Sequence, residues 1–276
     1  MQRFKAFLLI SGFASASALS GQDPGPAWED GPEFRTRVAT RLINTHAPVF
    51  LGKGEFDFRI LHRFGPLDGG SSSFFGLDQA RMRISLDYGV NDRLMIGLGR
   101  STFLKEYDGF LKYRLADEKK NKALSLDYAA GIYLSGLRWA DPTRKNFFSS
   151  RLAYAHQLLL SRSFANRFQL QLTPGLLHRN LVAGPDENND LAYLGTGGRL
   201  RLSQRLTLVA DAQWKLAGNI RGDYTNPITA GLDIRTGGHV FQLHVSNAPG
   251  MNERAHLLDT RYGQGWRFGF NLSRVF

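Results

Sequence analysis

The sequence predicts an all-β protein: a closed antiparallel transmembrane β-barrel of about twelve strands, with both termini on the periplasmic side. Three observations carry this. The chain ends in an amphipathic strand, Gly265 to Phe276, in which Trp266, Phe268, Phe270 and Leu272 alternate with Arg267, Gly269, Asn271 and Ser273. Residues 1–18 read as a secretory signal peptide. Between the two ends the apolar residues fall into many short runs of period two, separated by Gly, Asn, Asp and Pro clusters, as strands and turns require.

The leader comes first in the chain. Arg3 and Lys5 supply a basic start, residues 6–14 a short apolar core, and Ala14-Ser15-Ala16 and Ala16-Ser17-Ala18 two small-residue cleavage patterns, with cleavage after Ala18 favoured. The apolar run is shorter than the roughly 20 residues a membrane-spanning helix needs. Residues 19–53 are expected to form an N-terminal periplasmic segment, and residues 54–276 the barrel. Within the segment, Asn44, Thr45 and His46 precede Pro48. They either stay in the periplasm or fold into the barrel mouth.

The alternation places strands near 54–64, 77–90, 92–102, 107–116, 122–137, 146–161, 166–180, 189–202, 204–217, 227–235, 238–246 and 264–276. The clearest is 205–217, with Leu206, Leu208, Ala210, Ala212, Trp214 and Leu216 on one face and Arg205, Thr207, Val209, Asp211, Gln213 and Lys215 on the other. Such runs match the length of a tilted spanning strand, about 9–11 residues. Tight turns are expected at 90–92, 203–204 and 236–238, and longer outer loops at 65–76, 138–145, 181–188, 218–226 and 247–263.

The segment Leu42-Ile43-Asn44-Thr45-His46, followed by Glu55-Phe56-Asp57-Phe58-Arg59-Ile60-Leu61-His62-Arg63-Phe64-Gly65, resembles the opening of an uncharacterised outer-membrane β-barrel family, domain of unknown function 5777, of Bacteroidetes type. Phe75-Gly76-Leu77-Asp78, Asp87-Tyr88-Gly89-Val90, residues 96–103 and residues 105–114 continue the resemblance. It implies a barrel and brings no substrate, reaction or catalytic residue.

Composition narrows the chemistry. There is no Cys, so disulfides, thiolate metal sites, cysteine nucleophiles and covalent haem attachment are excluded. The 35 Lys+Arg against 24 Asp+Glu give a net charge of +11, and loss of Arg3 and Lys5 with the leader leaves +9. The basic residues are dispersed along strands rather than gathered in a patch, so nucleic acid is not an expected partner. The expected partners are outer-membrane lipid, the outer-membrane assembly machinery and a small solute in the lumen.

If the apolar alternates face lipid, the lumen receives Glu55, Asp57, Arg59, Arg63, Arg81, Arg83, Asp87, Asp127, Arg151, Asp211, Lys215, Asp233 and Arg235, because charges sit poorly against hydrocarbon. This network reads either as a selectivity constriction or ligand clamp, or as packing of a narrow lumen. Trp266, Phe268, Phe270 and Phe276 are the expected assembly signal. His62 and His156 fall on apolar alternates, and no HExxH or close His/Asp ligand set occurs. No catalytic, cofactor-binding or metal-binding residue is therefore assigned. Gly195-Thr196-Gly197-Gly198 lacks the Lys-Ser/Thr of a phosphate loop and is expected to relieve crowding within a strand. The expected function is a channel or porin-like transporter for small polar or anionic solutes, and not an enzyme. A structural or surface-interaction barrel with a closed lumen and an outer-membrane hydrolase remain the alternatives.

Overall fold

The computed structural model describes residues 38–118, 124–165, 167–236, 238–262 and 265–276. The leader and residues 19–37 lie outside them. Alternating side chains build twelve strands: β1 (Phe56–Pro66), β2 (Ala80–Asn91), β3 (Leu94–Ser101), β4 (Glu106–Ala116), β5 (Ser125–Ser135), β6 (Leu152–Phe164), β7 (Phe168–Arg179), β8 (Asp190–Arg201), β9 (Leu206–Ala217), β10 (Ile228–Thr236), β11 (His239–Ser246) and β12 (Arg267–Val275). Each pairs antiparallel with its sequence neighbours, and β12 pairs with β1 to close the barrel. At the seam Ile60 faces Leu272. Phe56 and Phe276 exchange backbone bonds there, Phe56 N–H donating at 3.1 Å and Phe276 N–H at 2.8 Å. Closure leaves no unpaired strand edge, the condition for crossing hydrocarbon with strands. Among the described residues no helix is long and apolar enough to cross a membrane, which has no bearing on crossing by strands.

An even strand number returns the chain to the end where β1 begins. The connections after β2, β6, β8 and β10 at that terminal end are short, while the longer connections after β1, β5, β7, β9 and β11 lie at the opposite, loop end. One short turn shows its cause plainly: Asn91 Oδ1 accepts from the backbone N–H groups of Arg93 and Leu94, each at 2.9 Å, an Asx turn that reverses the chain between β2 and β3.

The two faces divide as the alternation requires. Outward, Phe58, Ile84, Leu86, Leu98, Leu158, Leu172, Leu208, Leu243 and Phe268 are exposed large apolar residues. Inward, Asp57, Arg59, Arg63, Arg83, Asp87, Lys112, Asp127, Asp211 and Asp233 are buried. The strand expected to begin at residue 146 begins instead at Leu152, because Phe148–Arg151 forms a 3-10 turn.

Two pieces of chain enter the barrel. From the terminal end, residues 39–47 fold into a hairpin-like turn. Arg41 and His46 form a β-bridge, and Leu42 N–H donates to Thr45 O at 2.9 Å and Ala47 N–H to Thr40 O at 3.0 Å. The chain returns along the wall and reaches β1 through Gly52–Gly54. At this point Gly89 is required, since a Cβ there would stand 2.0 Å from the Gly52 carbonyl oxygen. From the loop end, the connection after β11 folds inward as a short helix, α1 (Glu253–Leu258), capped by the Asn252 side chain on Ala255 N–H.

Candidate functional site

The site is the lumen, and residues 39–49 run inside it, bonded to its wall. Its anchor is Asp211 on β9, an inward position fixed by the alternation of that strand. One carboxylate oxygen, Oδ2, accepts from the backbone N–H of Ile43 at 3.2 Å, Asn44 at 2.7 Å and Thr45 at 3.0 Å, and from the Thr45 hydroxyl at 3.2 Å. The tight turn aims these successive amides at one point, forming an anion-binding concavity filled by a carboxylate of the wall. Asn44 Nδ2 donates to Thr229 Oγ1 at 2.8 Å, and Arg63 donates to Asn44 Oδ1 at 2.7 Å.

The wall also holds the carbonyls of the segment. Arg199 donates to Ala39 O at 2.7 Å and to Arg41 O. Gln242 donates to Leu42 O, and Gln171 to His46 O at 2.7 Å. Lys112 Nζ reaches Ala47 O at 3.0 Å and Val49 O at 2.6 Å, and Arg114 reaches Pro48 O at 2.7 Å. Apolar contact supplements this: Leu42, Ile43 and Ala47 cluster with Val209. Gly197 on β8 makes the room, since a Cβ there would lie 2.4 Å from Leu42 Cδ1.

The two intruding pieces meet at Glu253 of α1, which pairs with Arg41, lies 3.1 Å from His46 Nε2 and accepts from the Tyr133 hydroxyl at 3.3 Å. Burial first, then the cations Arg41, Lys112, Arg83 and Arg59, hold the His46 pKa well below its ordinary value. Beside the tip, His256 Nε2 contacts Thr229 Oγ1 at 3.2 Å and its Nδ1 contacts Gln213 Oε1 at 3.2 Å.

The expected charge network is distributed as follows. Asp57, Arg59, Arg63, Arg83, Asp87, Asp127, Asp211, Asp233 and Arg235 are buried on inward alternates. Arg83 Nε donates to Asp108 at 2.9 Å, Arg114 to Asp127 at 3.2 Å, Gln242 to Asp233 at 2.9 Å and Arg235 to Thr207 at 3.1 Å. Glu55 sits at the terminal rim, accepting from Gly52 N–H at 2.6 Å. Arg81 and Lys215 stand toward the loop end over the rings of Phe103 and Tyr224, at 4.1 and 5.0 Å. Arg151 is the exception. It precedes β6, donates to Ser135 O at 2.9 Å and stacks over Trp139 at 4.0 Å, so it belongs to the rim and not to the lumen.

Of the segment expected to be periplasmic, residues 39–47 are buried within the barrel, while residues 19–37 lie outside the described residues. Sequence reasoning missed Arg41, Lys112, Arg199, Gln171, Gln242 and Glu253 as lumen residues. Arg41 lies on irregular chain, and Glu253 opens a helix of six residues, too short to show a period. Lys112 was readable: Glu106, Asp108 and Lys112 alternate strictly with Tyr107, Gly109, Leu111 and Tyr113.

The terminal aromatics point outward, with Trp266, Phe268 and Phe276 exposed and Phe270 stacked on His62 at 4.5 Å. On the outer wall His156 Nδ1 contacts Tyr128 OH at 2.6 Å, and His178 Nδ1 contacts Asp190 at 2.7 Å. Among the described residues no group of His, Cys, Asp and Glu could hold a metal ion.

Comparison with known structures returns barrels of the same kind. The NanC porin aligns with 80% of this chain and 98% of its own at 8% identity and a TM-score of 0.51. The COG4313 outer membrane channel from Pseudomonas putida F1 aligns with 82% and 97% at 14% identity and a TM-score of 0.51. At these identities the likeness shows the fold alone. No curated protein matches the chain. The family model described as a membrane-bound beta barrel domain (DUF5777) matches residues 38–276, which include every strand. A membrane-bound closed barrel with an apolar outer wall stands in an outer membrane, in contact with its lipid. With its fold, wall and sequence in agreement, the chain belongs to the DUF5777 family of membrane-bound β-barrel domains.

Proposed function

We propose that the protein is a channel-type barrel and not an enzyme. It passes small polar solutes with a mild preference for anions, and its own residues 39–49 hold it shut until they are displaced. Both termini face the periplasm, and Trp266, Phe268, Phe270 and Phe276 serve the assembly machinery as its signal. One observation carries the channel reading: the lumen wall has more polar capacity than the segment uses. Arg59 Nε and Nη2, Arg63 Nε and Nη1, Arg199 Nε and Nη1, and both Asp87 carboxylate oxygens are buried without a protein hydrogen-bond partner. Buried polar groups in folded proteins nearly always have partners, so these demand water or solute. A barrel that only needed filling would be served as well by apolar packing. The cations Arg59, Arg63, Arg199 and Arg81 support the anion preference.

The test is planar-bilayer conductance of the full-length protein under a salt gradient. Wild type is expected to conduct rarely, Asp211→Asn to conduct at least tenfold more often, and Arg81→Glu in the Asp211→Asn background to shift the reversal potential toward cations. Silence in both wild type and Asp211→Asn would overturn the reading. It would favour a closed barrel that displays its outer loops, for which the junction of both stoppers at Glu253 is the supporting observation.

A further inference from the structure

The wall grips its stopper largely by the main chain, and from this we propose that the lumen is a binding site for short peptides, with residues 39–49 as a tethered pseudo-ligand. This rests on the channel reading and names its substrate class. Five wall side chains, Arg199, Gln242, Gln171, Lys112 and Arg114, donate to backbone carbonyls along residues 39–49. A sixth, Asp211, collects three consecutive backbone amides. Carbonyl and amide groups recur in every peptide, whatever its side chains. A wall that donates to the one and accepts from the other therefore recognises the polymer class rather than one sequence. These donors are spread around the barrel on β4, β7, β8 and β11, with the acceptor on β9, so an incoming peptide would be encircled rather than laid on one strand.

The geometry also separates what is general from what is private to the native segment. Thr40, Arg41 and Asn44 add side-chain bonds to Arg59, Glu253 and Arg63, which an unrelated peptide lacks. Tethering gives the segment an effective concentration on the order of millimolar, so a competitor must approach that range. The buried Asp87 carboxylate, which feels the charges of Arg59 and Arg83, and Arg63 Nη1 make no protein hydrogen bond. They leave an acceptor and a donor beyond those the segment uses, which suits a ligand carrying both amide and charged ends.

The chain has no Cys, so a single Ala47→Cys variant of the full-length protein reports segment release through its rate of reaction with an impermeant maleimide. Three probes are compared at millimolar concentration in proteoliposomes: a blocked peptide of residues 39–49, a peptide of the same composition in shuffled order, and raffinose. Both peptides are expected to accelerate labelling tenfold or more, the shuffled one within a few-fold of the native order, and raffinose not at all. Calorimetric binding of the shuffled peptide to unmodified wild type gives the same comparison if the variant fails to fold. A shuffled peptide no better than raffinose in both measurements overturns the inference. Uptake into the liposomes is scored separately. Accelerated labelling with no uptake of any solute sinks the channel reading and leaves the peptide site standing. Uptake of raffinose or anions with inert peptides sinks the peptide site alone.

Discussion

Asp211 shows how much one side chain can settle. Its carboxylate takes three backbone N–H groups and a hydroxyl on one oxygen, and hydrogen bonds to a buried charge are worth about 1.5–3 kcal/mol each. Asp211→Asn keeps an acceptor but loses the charge. It is expected to weaken seating of the segment by about 1.5–3 kcal/mol, read as a roughly 10- to 150-fold rise in labelling at Ala47→Cys. His46 gives the seated state a pH dependence. Around it stand Arg41 on its own segment, Arg59 on β1, Arg83 on β2, Lys112 on β4 and Glu253 on α1. Its pKa is lowered in place, so between its depressed value and about 6.5 the released segment binds the extra proton. Seating should be strongest above pH 7 and should weaken as pH falls through the ordinary histidine range, by at most about 1.4 kcal/mol per unit. Labelling rates between pH 7.5 and 5 check this. A rate that falls on acidification would contradict this.

At the scale of the element, strands are the most legible part of the sequence. A period of two needs no tertiary information, and charged residues on one alternate fix which face is inward once the other face must meet lipid. The inward placement of Asp57, Arg59 and Arg63 on β1 thus follows from alternation alone. That of Arg199 does not, because Gly197 and Gly198 interrupt the alternation just before it. Ser273 carries no signal of a partner in the sequence, yet its hydroxyl donates to Asp57 Oδ1 at 2.6 Å; Ser273→Ala should cost about 0.5–1.5 kcal/mol of stability. The lipid-facing wall makes a sharper prediction. Leu208 is exposed on the outer face of β9, and Leu208→Arg should cost about 2–4 kcal/mol if it lies near the midplane. Leu206→Arg, at the first residue of the strand, should cost less. Unfolding from liposomes measures both, and equal costs would remove the depth assignment. Gly197→Val should push against Leu42 and favour the released segment, again read by labelling at residue 47.

For the whole molecule, the interior is legible only in part. That a small barrel must fill its lumen follows from packing, but what fills it is set by contacts distant in sequence. The bond between Arg41 and Glu253 spans most of the chain; Arg41 lies in a turn and Glu253 opens a six-residue helix too short to show a period. Asn44-Thr45-His46 stands out as a motif without revealing its destination, because a turn held by wall side chains carries no local signature of those side chains.

The seated segment also changes the barrel as a mechanical object. It is tied to β1 through Arg59 and Arg63, to β4 through Lys112, to β7 through Gln171, to β8 through Arg199, to β9 through Asp211 and to β11 through Gln242. These ties run inward from around the circumference like spokes to a hub. A thin-walled tube in a bilayer feels lateral pressure that tends to flatten it, and spokes resist ovalisation where a bare hoop does not. While the hub is in place the cross-section is braced; under the release proposed above, the same hoop of strands would be free to breathe.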